Sequence, residues 1–228
     1  MNEQHHKPIR SFVRREGKIT KSQKQALTEL LPEYGIELVE GEVIDFKDIF
    51  GREAPVFVEI GFGNGDVLCH LAKENPHYNY LGIEVYRPGV GSLLSKIAEN
   101  HLSNVRVITQ DAAEVFKLHI PDESLEGVML FFPDPWHKKR HHKRRIVQPE
   151  FAEIISNKLK DGGKWYLSTD WENYALQMDE VLSSCAKLHK SMQISESGSI
   201  RVETKFEKRG KRLGHKVWDL AYIKSKGE

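Results

Sequence analysis

Two patterns of apolar and polar positions alternate along the chain. Short runs rich in apolar and β-branched residues are typical of strands in a buried sheet, whereas apolar residues at every third or fourth position are typical of helices. Helical spacing is clear for Val90, Leu93, Leu94 and Ile97. The strands predicted from the short runs are residues 55–60, 78–85, 105–109, 126–132 and 163–169, with further strands at 191–195 and 217–224.

The alternation predicts an α/β fold with a parallel, doubly wound sheet, because strands joined by helices of about 10–15 residues form right-handed βαβ units. Residues 1–20 are polar, basic and aperiodic, so we expect a flexible arm there. Residues 21–31 predict a helix that stops before Pro32. We therefore expect an N-terminal basic arm and short helix over residues 1–50 and one main domain over residues 51–228.

Cysteine usage and the length of the apolar runs exclude several classes of protein. The 228 residues include two cysteines, Cys69 and Cys185, which fit neither a disulfide framework nor a zinc-binding spacing. The longest apolar runs are under ten residues, too short to span a membrane. The first ten residues lack the apolar core of a signal peptide. We expect a cytoplasmic protein in a reducing compartment.

The net charge of +1 conceals large local differences. Residues 1–24 carry +5, residues 138–145 carry +6 with no acid, and residues 200–216 carry +5, so the remaining residues carry −15. Basic segments on an acidic body favour a polyanion-binding surface and a separate site that prefers cations. A solvated loop explains any single basic run equally well. The run at 138–145, however, follows a predicted buried strand and a stiff turn, PDPW, that fixes its position.

Each of the first five predicted strands ends in or just before an acidic residue. These residues are Glu59, Glu84, Asp111, Asp134 and Asp170. In an open α/β sheet, ligands bind beyond the carboxyl ends of the strands. Taken alone, Asp111 or Asp170 is explained equally well as a helix N-cap. Five acids at corresponding positions favour a ligand site.

A glycine-rich loop, GFGNG, follows the first of these strands at residues 61–65. Its spacing differs from the GxGxxG of dinucleotide-binding loops, and Glu59 puts an anion where a pyrophosphate would bind. A ligand with ammonium and sulfonium groups suits a carboxylate-lined pocket better. We expect Gly61 and Gly63 to allow close approach of the backbone, Glu84 to bind ribose hydroxyls and Asp111 to bind an adenine amino group. The pattern favours S-adenosylmethionine over a nicotinamide dinucleotide.

With these residues identified, the sequence resembles the bacterial tRNA (guanine-N7-)-methyltransferases. The shared motifs are VEIGFGNG (58–65), LGIEV (81–85), QDA (110–112), FFPDPWHKKRHHKRR (131–145), STDW (168–171) and TKFEKRG (204–210). The resemblance runs from residue 55 to the end of the sequence. The motif at 131–145 is long and unusual, so chance is a poor explanation for it.

The resemblance implies a class I methyltransferase fold with an antiparallel last strand, and methylation of the variable-loop guanine at tRNA position 46. It implies an S-adenosylmethionine site at Glu59, Glu84, Asp111 and Asp134. It implies tRNA contacts at Lys138, at Asp170 and at Thr204, Lys205, Phe206 and Glu207. The basic run corresponds to an RNA-contacting stretch, with Arg140, Lys143, Arg144 and Arg145 as candidate phosphate ligands. A monomer or homodimer with no obligatory protein partner is expected.

Residue chemistry limits the mechanism. Guanine N7 has an in-plane lone pair, so methylation needs alignment and charge stabilisation rather than a strong base. Asp134 is the catalytic candidate, and orientation of the cofactor is its alternative role. Asp170 and Glu207 suit the N–H donors of a guanine that leaves its stack. Phe132 and Trp136 are stacking candidates, although core packing explains Phe132 equally well.

Three alternatives stay open on the sequence alone. They are a methyltransferase for another RNA guanine, a nicotinamide-dependent oxidoreductase and a non-catalytic RNA-binding relative. Glu59 and the glycine spacing count against the second, and the intact series of acids counts against the third. His137, His141 and His142 fit an RNA-facing surface better than a metal site, because no partner ligands have a matching spacing.

Overall fold

The computed structural model describes residues 11–12, 17–191 and 216–226. Within these ranges the strands are β1 (Val56–Ile60), β2 (Asn79–Ile83), β3 (Val105–Ile108), β4 (Leu125–Phe131), β5 (Leu159–Thr169), β6 (Leu188–Lys190) and β7 (Trp218–Lys224). The helices are α1 (Lys21–Glu29), α2 (Leu31–Tyr34), α3 (Phe46–Phe50), α4 (Asp66–Glu74), α5 (Arg87–Glu99), α6 (Ala112–Leu118), α7 (Pro149–Lys158) and α8 (Glu172–Ser183), with a 3₁₀ helix, η1 (Lys139–Arg144).

The strands form one sheet in the order β3-β2-β1-β4-β5-β7-β6. Strands β1 to β5 pair in parallel, and β7 runs antiparallel to both β5 and β6. The chain connections reverse direction between β1 and β4, where an open α/β sheet forms a crevice for ligands. The predicted α/β fold, a doubly wound and mostly parallel sheet with an antiparallel last strand, is confirmed.

The sheet is buried on both faces, which explains the continuous apolar runs of its central strands. One apolar cluster joins the sheet to α6, α7 and α8 and includes Phe116, Phe151 and Trp165. The other joins it to α1, α4 and α5 and includes Leu68 and Leu93. The layers hold the carboxyl ends of β1 to β5 at a single edge of a packed, rigid core.

Several element boundaries differ from the predictions. The helix expected over 21–31 is split into α1 and α2, because Pro32 lacks an N–H and fits the first turn of a new helix. Strand β5 begins four residues before the predicted start, and Gly162 turns the chain within it with a φ of 78°. Strand β6 was not predicted and ends directly before the strand expected at 191–195, of which residues 192–195 are outside the described residues.

The segment before β1 packs on the sheet layers. Helix α1 lies against α5, where the Gln23 side chain donates a hydrogen bond to the Ser92 hydroxyl at 3.0 Å. Further along, the amide of Ile36 donates to the Val107 carbonyl on β3 at 2.9 Å. These contacts hold the segment of residues 17–50 against the sheet and its helices. Most of the predicted flexible arm, residues 1–20, is outside the described residues. None of the described helices is both long and apolar enough to cross a lipid bilayer.

Candidate active site

The five acids predicted at the strand ends lie along one edge of the sheet. Glu59 is the penultimate residue of β1, Glu84 directly follows β2 and Asp170 directly follows β5. Asp111 and Asp134 lie in the loops after β3 and β4. Because these strands are parallel, their carboxyl ends meet at the same edge, and the acids come together although 111 positions separate the first from the last.

A cleft of about 220 Å³ opens at this edge. Four of the predicted cofactor residues line it, namely Gly61, Glu84, Asp111 and Asp134. Gly63 and Glu59 do not line the cleft, although Ile60, the residue after Glu59, does.

Several other residues that line the cleft were not identified from the sequence, among them Ser11, Phe12, Val85, Gln110 and Ile146. Gln110 adjoins Asp111 in the QDA motif, which was the available signal for it.

Glu84 fixes the glycine-rich loop. One carboxylate oxygen accepts a hydrogen bond from the Gly63 amide at 3.0 Å, and the other accepts from the Tyr86 amide at 2.9 Å. Gly61 and Gly63 have φ values of 68° and 57°, a backbone conformation that residues with a side chain rarely adopt. Burial raises the pKa of Glu84, the amides oppose that shift, and the charge of Asp134 adds to it. Glu84 and Asp134 are therefore close enough to repel each other.

Glu59 is a buried carboxyl group with spare hydrogen-bonding capacity. It is 3% exposed, and its Oε2 atom has no hydrogen-bond partner among the described residues. Burial raises the pKa of Glu59 to about 8, and repulsion by Glu84 and Asp66 adds to the rise. A buried carboxyl oxygen without a partner is costly, which suits a site completed by a hydrogen-bond donor or a cation.

The position of Asp111 is compatible with both roles that the sequence left open, helix cap and ligand contact. It caps α6, where Oδ1 accepts a hydrogen bond from the Ala113 amide at 3.0 Å, and it also lines the cleft. A cap on the first turn of a helix uses one carboxylate oxygen, so the second oxygen stays available to a ligand.

The loop after β4 is a strained, anchored segment. Phe132 and Trp136 have φ values of 51° and 47°, two of the four positive values found for described non-glycine residues. Such conformations cost about 1–3 kcal/mol each and cluster at functional sites. The Phe132 amide donates to the Ser168 carbonyl on β5 at 2.8 Å, which extends the β4–β5 pairing into the loop. Asp134 thus lies at the cleft between Phe132, which is bonded to β5, and Pro135, whose carbonyl accepts a hydrogen bond from Arg145.

Arg145 corrects the prediction that every arginine of the basic run contacts phosphate. It is 2% exposed, and its guanidinium donates to the Pro135 carbonyl, to Gln177 and to Asn173 at 2.8, 2.5 and 2.9 Å. The guanidinium carbon of Arg145 lies 4.6 Å from the centre of the Tyr174 ring. Five donors in a planar fork allow this arginine to join the loop after β4 to α8, which leaves it inaccessible to RNA.

The rest of the basic run lies at the surface beside the cleft. Lys138, Arg140 and Lys143 are exposed, whereas the Arg144 guanidinium lies 4.3 Å from the Trp136 ring centre. Asp170 is exposed at the end of β5. The predicted tRNA contacts Thr204, Lys205, Phe206 and Glu207 are outside the described residues. No group of three or more potential metal ligands occurs within the described ranges.

The fold has counterparts among solved structures. The 16S rRNA methyltransferase KamB superposes with a TM-score of 0.58 at 16% identity, over 84% of this chain and 100% of that chain. The aminoglycoside resistance methyltransferase NpmB1 superposes with a TM-score of 0.54 at 19% identity, over 78% and 91%. A family profile described as "Putative methyltransferase" matches residues 53–220. The sheet order and these likenesses define a class I methyltransferase.

Much closer relatives exist at the level of sequence. The tRNA (guanine-N(7)-)-methyltransferase of Alkalilimnicola ehrlichii is 53% identical over 222 residues, 96% of this chain and 93% of the relative. The protein of the same name from Escherichia coli is 52% identical over 221 residues, 96% and 92%. This chain belongs to the tRNA (guanine-N(7)-)-methyltransferase family.

The buried carboxyl of Glu59 predicts a pH-dependent stability. Its pKa is 4.5 as an ordinary side chain and about 8 in the folded protein, so the folded state retains a proton that the unfolded chain loses. The free energy of unfolding therefore falls as pH rises between these values, by up to about 1.4 kcal/mol per pH unit. Glu59→Gln is neutral in both states and removes this slope. Urea unfolding of both proteins between pH 5 and 9 measures it.

Glu74→Gln, at an exposed position on α4, is the matched control and should leave the pH profile of the parent protein unchanged. Parallel profiles for Glu59→Gln and the parent would show that Glu59 is ionised in the folded protein and would contradict the prediction.

The buried position of Arg145 predicts a large effect on stability. Arg145→Met retains most of the volume but leaves the Pro135 carbonyl and the Asn173 and Gln177 side chains without their donor. We expect the free energy of unfolding to fall by about 2–4 kcal/mol. Arg140→Met, at an exposed position, should change it by less than about 0.5 kcal/mol. Equal small effects in urea unfolding would show that Arg145 is a surface residue in solution.

Proposed function

We propose that this protein transfers the methyl group of S-adenosylmethionine to N7 of the variable-loop guanine at position 46 of tRNA. The observation that carries the proposal is one edge of the sheet where an acidic cleft and an exposed basic helix adjoin the same strained loop. Family membership and about 50% identity over 96% of the chain support the reaction. Membership of a methyltransferase family also overturns the nicotinamide-dependent alternative.

The residues of the cleft fit the chemistry of S-adenosylmethionine. Glu84 and Asp111 line the cleft and supply acceptors for hydroxyl and amino donors. Glu59 is buried next to the lining residue Ile60, and its unpartnered Oε2 atom adds an acceptor for an ammonium group there. Gly61 adds no side chain to obstruct a ligand, since a Cβ atom there would meet open space. When bound, this cofactor supplies a methyl group activated by a positively charged sulfur.

The reaction needs little acid–base chemistry from the protein. Guanine N7 attacks with a lone pair in the plane of the ring, and no proton has to leave first. The protein therefore has to align N7 with the methyl carbon and stabilise the positive charge that the purine acquires. We assign charge stabilisation to the Asp134 carboxylate, which the loop after β4 holds at the cleft.

The tRNA contacts divide by chemistry. The exposed side chains of Lys138, Arg140 and Lys143 suit phosphates, which give affinity without sequence information. Asp170 suits the N–H donors of guanine, and the same family resemblance assigns Thr204 to Glu207 to the substrate. The proposal includes a cytoplasmic reaction, a single chain without an obligatory protein partner, and either a monomer or a homodimer.

Methyl transfer to an unmodified tRNA transcript tests the function. Labelled S-adenosylmethionine reports the transfer, and scission by borohydride and aniline locates N7-methylguanine. We expect scission in the variable loop that disappears when that guanine is replaced. Label without scission would overturn the N7 assignment in favour of another RNA position. Absence of both labelling and cofactor binding would favour the non-catalytic relative.

Asp134→Asn tests the catalytic assignment, because it removes the charge and retains the shape. We expect kcat to fall by about 10²–10³-fold, as for loss of one electrostatic contact to the transition state. The dissociation constant for S-adenosylmethionine should change little. A large rise in that constant with normal kcat at saturation would assign Asp134 to cofactor orientation instead. Asp122→Asn, at an exposed position after α6, is the matched control.

A further inference from the structure

Trp136, one of the two aromatic residues predicted to stack on the target base, has several contacts within the protein. The Arg144 guanidinium lies 4.3 Å from its ring centre, and the ring of His141 approaches edge-on at 5.9 Å. Its indole N–H donates to the Ser11 carbonyl at 3.1 Å. A nucleobase on this face of Trp136 would have to displace Arg144.

Trp171 offers the aromatic surface that Trp136 does not. It is 39% exposed, and among the exposed large apolar side chains of the described residues it is the aromatic one. It follows Asp170 at the end of β5, and its amide donates to the Thr169 hydroxyl at 3.2 Å. Its partly exposed indole lies beside a candidate ligand site, where an aromatic ring is available to stack on a base.

His137 connects Trp171 to the loop that carries Asp134. The two rings lie 4.3 Å apart between centres, at an angle of 68°. The parallel register pairs Phe131 with Ser168, which brings the loops after β4 and β5 side by side. The ring pair is therefore flanked by Asp170 on one loop and by Lys138 on the other.

We propose that Trp171 and His137 form a nucleobase subsite, in which the target guanine stacks on Trp171 with its donor edge toward Asp170. This inference rests on the proposed function and adds the stacking surface to it. Methylation at N7 gives the purine a positive charge, and the electron-rich face of an indole attracts cations more strongly than any other side-chain ring. Trp171 thus stabilises the charged base as well as the neutral one.

A binding cycle with two transcripts tests the subsite directly. One tRNA carries the target guanine and the other an abasic residue at the same position. We expect Trp171→Ala to weaken binding of the guanine tRNA by about 10-fold, typical of losing one base–aromatic stack. With the abasic tRNA the loss should be less than about 2-fold, because the stacked group is absent. Trp171→Phe should restore most of the affinity.

Leu176→Ala, which removes an exposed apolar side chain on α8, is the matched control and should bind both transcripts as the parent does. His137→Ala should weaken the guanine complex selectively, and it reports on the subsite independently if Trp171→Ala fails to fold. Equal losses for both transcripts, or no loss for either, would overturn the subsite. Methyl transfer by the parent is measured alongside, and its failure would overturn the proposed function instead.

Discussion

Convergence of carboxyl groups at one edge of the sheet is the constraint on which the rest of this structure depends. Parallel strands deliver Glu59, Glu84, Asp111 and Asp134 to the same edge, where like charges repel and burial penalises ionisation. Burial and repulsion between these carboxylates raise the pKa values of Glu59 and Glu84. Such an arrangement is stable only if a proton, backbone amides or a cationic ligand offset the charge, and the amides of Gly63 and Tyr86 do so for Glu84.

The loop after β4 solves a second problem, which is to hold an acid beside the cleft and a basic surface within a few residues of each other. Phe132 and Trp136 adopt unfavourable backbone conformations in this loop. Arg145 stabilises the loop by donating a hydrogen bond to the Pro135 carbonyl. The last residue of the basic run is therefore buried inside the protein. Its neighbours Lys138, Arg140 and Lys143 remain exposed at the surface.

Much of the fold and of the cleft could be predicted because local patterns determine them. Apolar runs specify buried parallel strands, and an acid that follows a strand inherits the position of the strand end. Arg145 could not be predicted in the same way, since its partners Asn173 and Gln177 lie 28 and 32 residues further along the chain. The contact of Trp136 with Ser11 spans 125 residues and leaves no periodic signal. Phe132 and Trp136 have positive φ values, which a sequence usually signals with a glycine, so their backbone conformations could not be predicted.

The pairing of β5 has a consequence for the order in which the protein matures. Ser168 anchors the loop of Asp134 through its carbonyl, and its hydroxyl donates to Asp219 on β7. Strand β7 is the last described strand, although it lies between β5 and β6 in the sheet. During synthesis the cleft residues of β1 to β4 therefore leave the ribosome well before the strand that completes their support. The support of the loop that carries Asp134 is complete only after residues 218–224 have been synthesised and have paired with β5. Translation products that end before residue 218 therefore lack this support.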